Sequence, residues 1–375
     1  MYGECVAQGM GSEALVEQEY RRPVSMKRGD GTPRYVFVTF LMLNDSYLPG
    51  ALLLAYALRK QNTGADLVCM VTSEIGTDAR DALSLLFHHV IQVDAIFVPH
   101  RRRQERQDRP YWFTRVNALR LGQDGDLGFN YEKVVSLDAD LLPLEHYDHL
   151  FTVSAPAGII NESKAFVMEV DAAGQYIVPA DVEQTGRWVW HRHYGEVCPH
   201  GHAIPKEITD RVRADATNLG LNGSLFVLEP SMLEFGEILS DLARPEIARL
   251  VGDLFEWPDM QYLTMRWSGR WTSIDLRFSG FNGYPRLSVL FGTHYAGFKP
   301  WSFRKAQAMA RWSRHEDFQL WFREYAEMVT SAYPRLRQVK QLDRLWRQIA
   351  AMAVPRTDGP GPKSTRSSRR EPRWH

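Results

Sequence analysis

The stretch Lys133-Val134-Val135-Ser136-Leu137-Asp138-Ala139-Asp140 decides the fold. Val134, Val135 and Leu137 leave no polar face on the run, and a strand of that kind is buried on both sides, as in a parallel sheet. It passes straight into two aspartates separated by one alanine. Ligands of open α/β sheets gather beyond the carboxyl ends of the strands, so these carboxylates stand at a binding edge.

The pattern extends outward in both directions. Residues 35–40 read as a strand, followed by the polar break Asn44-Asp45-Ser46. Pro49 marks a helix start, and 51–60 form a largely buried helix that ends near Gly64. Residues 67–71 are a second strand. Thr77 and Asp78 can cap a helix running through Leu85 and Phe87, and 90–93 are a third strand. Residues 112–121 read as a helix. Residues 225–228 form another strand, closed by Pro230, and Ser231 with Glu234 has capping-box spacing for the helix beyond. This alternation predicts an α/β fold with a mostly parallel central sheet covered on both faces. From Ser302 the pattern turns helical, with Phe318, Trp321, Phe322, Tyr325 and Met328 on one packing face. The chain thus divides into a leader (1–33), a main domain (34–301) with an insertion at about 174–218, a helical extension (302–353) and a disordered tail (354–375).

Of 375 residues, 44% are hydrophobic, enough for one large core and a helical annex. Lys+Arg and Asp+Glu balance at 45 each, which points away from nucleic acid and anionic membranes. The run Arg101-Arg102-Arg103 reads as a solvated loop. Cys5, Cys69 and Cys198 lie far apart and suggest no disulfide framework, so a reducing compartment fits. The longest apolar run, 48–58, is too short to span a membrane. The expectation is a cytoplasmic protein.

An Asp-x-Asp pair taken alone is equally a loop start or a helix cap. When the chain bends between them, both carboxylates can reach one hard cation such as Mg²⁺ or Mn²⁺, which also accepts phosphate oxygens and water.

In order along the chain, several motifs resemble glycosyltransferase family 8, the glycogenin-like enzymes, and within it the members carried by large DNA viruses. They are residues 44–51 (NDSYLPGA), Thr114-Arg115, Leu137-Asp138-Ala139-Asp140, 221–231 (LNGSLFVLEPS), 258–264 (PDMQYLT) and 294–301 (HYAGFKPW). The resemblance covers about 35–301. It implies a GT-A-type nucleotide-binding fold, a UDP-sugar donor, Mn²⁺ (or Mg²⁺) and transfer with retention of configuration. By position it implies that Asn44 and Tyr47 contact the nucleotide, Tyr47 by stacking on the uracil. Asp138, Asp140 and His294 would bind the metal, and Lys299 would hold the diphosphate. Asn222 and Asp259 would face the donor sugar, with Arg115 where relatives often have Lys. These residue types suit those tasks: an aromatic face for a base, imidazole for a first-row metal, Lys or Arg for phosphate. Read singly, Tyr47 could equally be a staple before a helix, His294 a satisfied loop histidine and Lys299 part of a solvated turn.

The sequence also departs from the family. Met42-Leu43 precedes Asn44 where glycogenins have polar residues, so backbone groups are expected to contact the base. Met260 stands at a position usually held by Gln, and the His294 motif is one residue shorter. The insertion carries Trp188, Trp190, His191, His193, Tyr194, Cys198, His200 and His202. Zinc ligation is one reading of it, but the spacing favours an acceptor-side loop or lid. No nucleophile stands out, which favours same-face attack with Asp259 holding sugar hydroxyls. Acceptor and donor sugar are not legible, and a homodimer is compatible. Two further readings stay open: self-glycosylation on a tyrosine, and a non-catalytic nucleotide-sugar-binding or interaction protein.

Overall fold

A computed structural model describes residues 25–102, 107–161, 198–283, 286–302 and 313–353. Strand β1 (Tyr35–Leu41) lies between β2 (Asp66–Val71) and β4 (Lys133–Leu137), parallel to both, and β3 (His89–Gln92) extends the parallel set beyond β2. On the other side β7 (Leu221–Leu228) runs antiparallel to β4, then β6 (Ala157–Ile160) and β8 (Thr272–Ser273) complete seven strands in the order β3-β2-β1-β4-β7-β6-β8. A second sheet joins β5 (Leu141–Pro143), β10 (Gly292–His294) and β9 (Gly280–Phe281).

The inner strands alternate between two cores, as their continuous apolar sequence requires. Phe37, Leu67, Cys69 and Val135 face a core built with helix α1 (Leu48–Lys60), the second sheet and the C-terminal helices. Val36, Val38, Val68 and Val134 face the other, with Phe113, Tyr262 and Trp271. Every residue from Leu48 to Leu58 is buried, so that apolar run is a core helix. Among the described residues no helix is long and apolar enough to cross a membrane.

Most expected elements appear within a residue or two, with four differences. The strand expected at 225–228 starts four residues earlier, as β7 (Leu221–Leu228). Helix α2 (Thr77–Leu83) stops short of Leu85 and Phe87, and Gly76 rather than a side chain occupies its cap position. The element at 112–121 is a run of 3₁₀ turns, Arg109–Leu121, opened by Pro110. The capping box is half built: Ser231 Oγ accepts from Glu234 N–H at 3.2 Å, but the Glu234 carboxylate turns to Arg266 and Trp267. This box begins helix α3 (Met232–Leu242).

Of the residues read as a leader, 25–33 are described and tied to the domain: Arg28 donates to Pro33 O at 2.7 Å and to Asn130 O. In the C-terminal extension, Phe318, Trp321, Phe322 and Tyr325 of α5 (Glu316–Glu327), with Met328 after it, are all buried. Helix α4 (Pro258–Arg266) and helix α6 (Lys340–Ala353) complete the longer helices. The tail 354–375 and the Trp188–Tyr194 part of the insertion lie outside the described residues.

Candidate active site

A cleft of ≈ 670 Å³ opens at the carboxyl ends of β1 and β4. Asp138 leaves β4 with its N–H bonded to Ser224 O at 2.9 Å, and Leu141 N–H returns to Asp138 O at 3.1 Å, so the chain turns tightly through Ala139. It then enters β5, whose Leu141 lies opposite His294 on β10. That pairing brings together side chains more than 150 positions apart. One donor atom each of Asp138, Asp140 and His294 lies within 4.8 Å of the others. His294 Nε2 is 3.2 Å from Asp140 Oδ1 and 3.8 Å from Asp138 Oδ2.

Lys299 Nζ donates to Asp140 Oδ2 and to Tyr295 O. Burial by itself would raise the Asp140 carboxyl, but the Lys299 ammonium and His294 outweigh it and hold the group well below the usual carboxylate range. The Lys299 ammonium also stands 5.7 Å from the centre of the Tyr47 ring. Tyr47 follows Asn44, whose Oδ1 accepts from Ser46 N–H at 2.9 Å and caps the short 3₁₀ turn between them. The Tyr47 ring meets Trp301 edge-on at 5.6 Å, and Trp301 leans on Trp321 of α5 at 5.5 Å. The helical extension thus buttresses this end of the cleft. Gly50 is required there, because a Cβ would collide with Ala139 O and the Trp301 ring.

Arg115 links the acidic pair to the rest of the wall. Its Nη2 donates to Asp138 Oδ1 at 3.1 Å, its Nε lies 2.9 Å from Asp259 Oδ2, and its Nη1 donates to Gly223 O. The Asp259 contact is an ion pair off hydrogen-bond alignment. Gly223 leaves room for the guanidinium, since a Cβ would sit 2.8 Å from Arg115 Nη1. Asp259 is fully buried in the first turn of α4. Burial raises its carboxyl, with Arg115 opposing and Asp138 adding to the rise. Beside it Asn222 accepts from Ser224 N–H at 3.0 Å through Oδ1, while its buried Nδ2 has no hydrogen-bond partner among the described residues and Asn222 lines the cleft.

The structure therefore brings Asn44, Tyr47, Arg115, Asp138, Asp140, Asn222, Asp259, His294 and Lys299 to one cleft. Met42 and Leu43 line it as well, Leu43 with φ +66° and its N–H bonded to Thr72 Oγ1. Met260 also faces it, whereas Gln261 is turned away: its amide holds Trp257 N–H, Ala216 O and Asn218 O.

Among the described residues of the insertion, Cys198, His200 and His202 do not assemble a metal site. His200 uses both ring nitrogens, accepting from Asp275 N–H at 2.9 Å and meeting His149 Nε2 at 2.8 Å. Burial, aided by His149, pulls the His200 imidazole down to about 4. The other candidate zinc ligands, His191 and His193, fall outside the described residues.

Sequence reasoning missed the far wall of the cleft. Trp257 immediately precedes Pro258-Asp259, and Trp112 stacks on it at 5.3 Å between ring centres with 21° between planes. The signal available was position alone, since Trp112 lies three residues before Arg115 on a 3₁₀ run, where such residues eclipse.

No protein-family model matches the chain. Its relatives include an uncharacterized protein of Acanthamoeba polyphaga mimivirus, 26% identical over 278 residues, which cover 72% of this chain and 83% of that protein. Galactinol synthase 4 of Arabidopsis thaliana is 25% identical over 58% of each chain. Glycogenin-1 of Caenorhabditis elegans is 36% identical over 115 residues, 30% of this chain and 25% of that one. The alignments thus span little more than half of the synthase and a quarter of the glycogenin. Among solved structures the chain is similar to the bifunctional glycosyltransferase WbbM, with TM-score 0.47, 13% identity, and 81% of this chain and 51% of that one covered. It is also similar to the galactosyltransferase LgtC in complex with donor and acceptor sugar analogs, with TM-score 0.45, 14% identity, and 76% and 94% covered. The family resemblance read from the motifs is borne out by these relatives, which support a glycosyltransferase.

Proposed function

We propose that this chain, a homologue of family 8 glycosyltransferases that include glycogenins and a galactinol synthase, transfers a hexose from a UDP-sugar to an acceptor hydroxyl with retention of configuration, using Mn²⁺ or Mg²⁺. The observation that carries this reading is the meeting of Asp138, Asp140 and His294 beside Lys299. Two carboxylate oxygens and an imidazole nitrogen are donors suited to a first-row divalent ion, and the imidazole favours Mn²⁺ over Mg²⁺. When bound, such an ion supplies charge that offsets the departing diphosphate.

The remaining roles fall to the chain itself. Lys299 presents an ammonium to phosphate oxygens, a compact charge in a partly buried setting where electrostatic contacts are strong. Tyr47 offers an aromatic face to the uracil, held upright by Trp301. Asn222 Nδ2 donates to a sugar hydroxyl, and Asp259 accepts from others. Arg115 fixes Asp259 and Asp138 at a constant separation. Asp259 is held in that ion pair and is not the nucleophile. The acceptor oxygen forms its bond to the anomeric carbon as the bond to the diphosphate oxygen breaks, and the acceptor proton passes to the departing phosphate on the same face. A glycosyl adduct on Asp259 would contradict this. The buried free thiol of Cys69 goes with action in a reducing cytoplasm.

The test is a hydrolysis screen of UDP-sugars with Mn²⁺, run on the parent chain and on Asp140→Asn. The reading expects at least one donor to be turned over by the parent and not by the variant. Equal turnover by both would remove the metal site from the account.

A further inference from the structure

We infer that the end of the cleft formed by Trp257, Tyr111 and Asp108 seats a pyranose, so that the acceptor is a carbohydrate rather than a protein side chain. This rests on the donor reading above, because it is the order of contacts along the wall that leaves this end for the second substrate. From Tyr47 the wall passes to Lys299, then to Asp140 and His294, then Asp138, Arg115 and Asp259, each touching the next. A UDP-sugar laid along it places base, diphosphate and sugar in that sequence. Trp257 stands two residues before Asp259 in the chain and lines the same cleft, and its stack on Trp112 ties it to the 3₁₀ run that carries Arg115.

The chemistry of that end matches a sugar ring, which has an apolar C–H face and a polar rim. Trp257 lines the cleft and is part-exposed, with the buried Trp112 stacked behind it. The Arg109 guanidinium stands 4.9 Å from the Trp257 ring centre and 5.7 Å from that of Trp112, and donates to Glu256 O at 3.0 Å. With the two rings 5.3 Å apart, these centres form a near-equilateral triangle. Arg109 therefore braces the stack from its side instead of sandwiching Trp257 against Trp112. A rigid, braced indole is a low-entropy surface for a flat apolar face. Tyr111 adds a second ring, tilted against the exposed Phe97 at 5.2 Å. Asp108 supplies the polar rim: one carboxylate oxygen takes Trp112 Nε1–H at 3.2 Å, and the carboxylate lines the cleft. Few polar groups set among aromatic ones is the composition of a small-molecule site. The bond formed there joins a hydroxyl oxygen of the seated sugar to the anomeric carbon, as that carbon leaves the diphosphate and the hydroxyl proton goes with it.

Saturation-transfer difference NMR on the full chain tests the seat without donor chemistry, using maltose, lactose and cellobiose as probes. At least one is expected to bind, about tenfold more weakly to Trp257→Ala, and to recover in Trp257→Tyr. In coupled assays with the UDP-sugar turned over by the parent, Trp257→Ala should raise the ratio of acceptor KM to donor KM about tenfold. No saturable binding of any probe, or the same affinity in Trp257→Ala, would overturn the inference. So would transfer to N-acetyltyrosinamide in preference to the sugars, or a hexose ladder on the chain itself that Tyr111→Phe abolishes. A parent that turns over no donor yet binds a disaccharide through Trp257 would instead break the donor reading and leave the seat standing.

Discussion

The two ends of the cleft are built on different physics. At the Asp140 end, charges are packed together: a carboxylate is hemmed in by an ammonium and an imidazole and pulled to an unusually low pKa. At the Trp257 end, rings are stacked and braced, and the buried carboxylate two residues further along the chain, Asp259, is pushed the other way by burial. Both carboxylates are shielded from water, and the sign of the shift is decided by what stands beside them. The comparison implies a division of labour. On the proposed reading, the charged end sets the rate of breaking the donor bond, and the aromatic end sets which acceptor is present when it breaks.

The strongest way to break that division is Asp140→Asn. It should lower donor turnover about 10³-fold or more, because it removes a group that acts on charge developing in the transition state. A loss of that size in Trp257→Ala and not in Asp140→Asn would reverse the assignment of the two ends. Next comes Lys299→Ala, expected to lower kcat about 10²-fold, the usual cost of deleting one donor to a developing oxyanion. A change confined to donor KM would recast Lys299 as a binding group only. Gly223→Ala probes the joint between the ends. Its methyl would press on Arg115, so unfolding measurements should show a loss of about 1–3 kcal/mol, and turnover should fall with it. An unchanged melting temperature would mean that Arg115 moves freely and does not couple Asp138 to Asp259. The mildest effect is expected for Tyr47→Leu, a rise in donor KM of about tenfold, in line with the loss of one base–aromatic stack. No change there would place the uracil elsewhere.

The charged end was largely legible in the sequence. A buried strand ending in Asp138-Ala139-Asp140 marks a sheet edge where ligands gather, and the accompanying motifs, the one with His294 and Lys299 among them, turn that weak signal into a site. What the sequence did not contain was the reason Asp140 and His294 meet, the antiparallel pairing of three-residue strands β5 and β10, too short to leave a periodic signal. The aromatic end was not legible at all. Trp112 and Trp257 are far apart in the chain, and a tryptophan near a helix reads first as core. Helix α2 was overextended because Leu85 and Phe87 continue an apolar pattern that the structure satisfies with turns. Gln261 does not replace the Gln that relatives carry at the Met260 position, because its amide is spent on three backbone groups.

The most direct measurement titrates Mn²⁺ into the chain in the presence of UDP and follows free Mn²⁺ by electron paramagnetic resonance. The account predicts about one tightly held ion for the parent and none for the Asp138→Asn, Asp140→Asn double variant. Equal retention of Mn²⁺ by both proteins would contradict it.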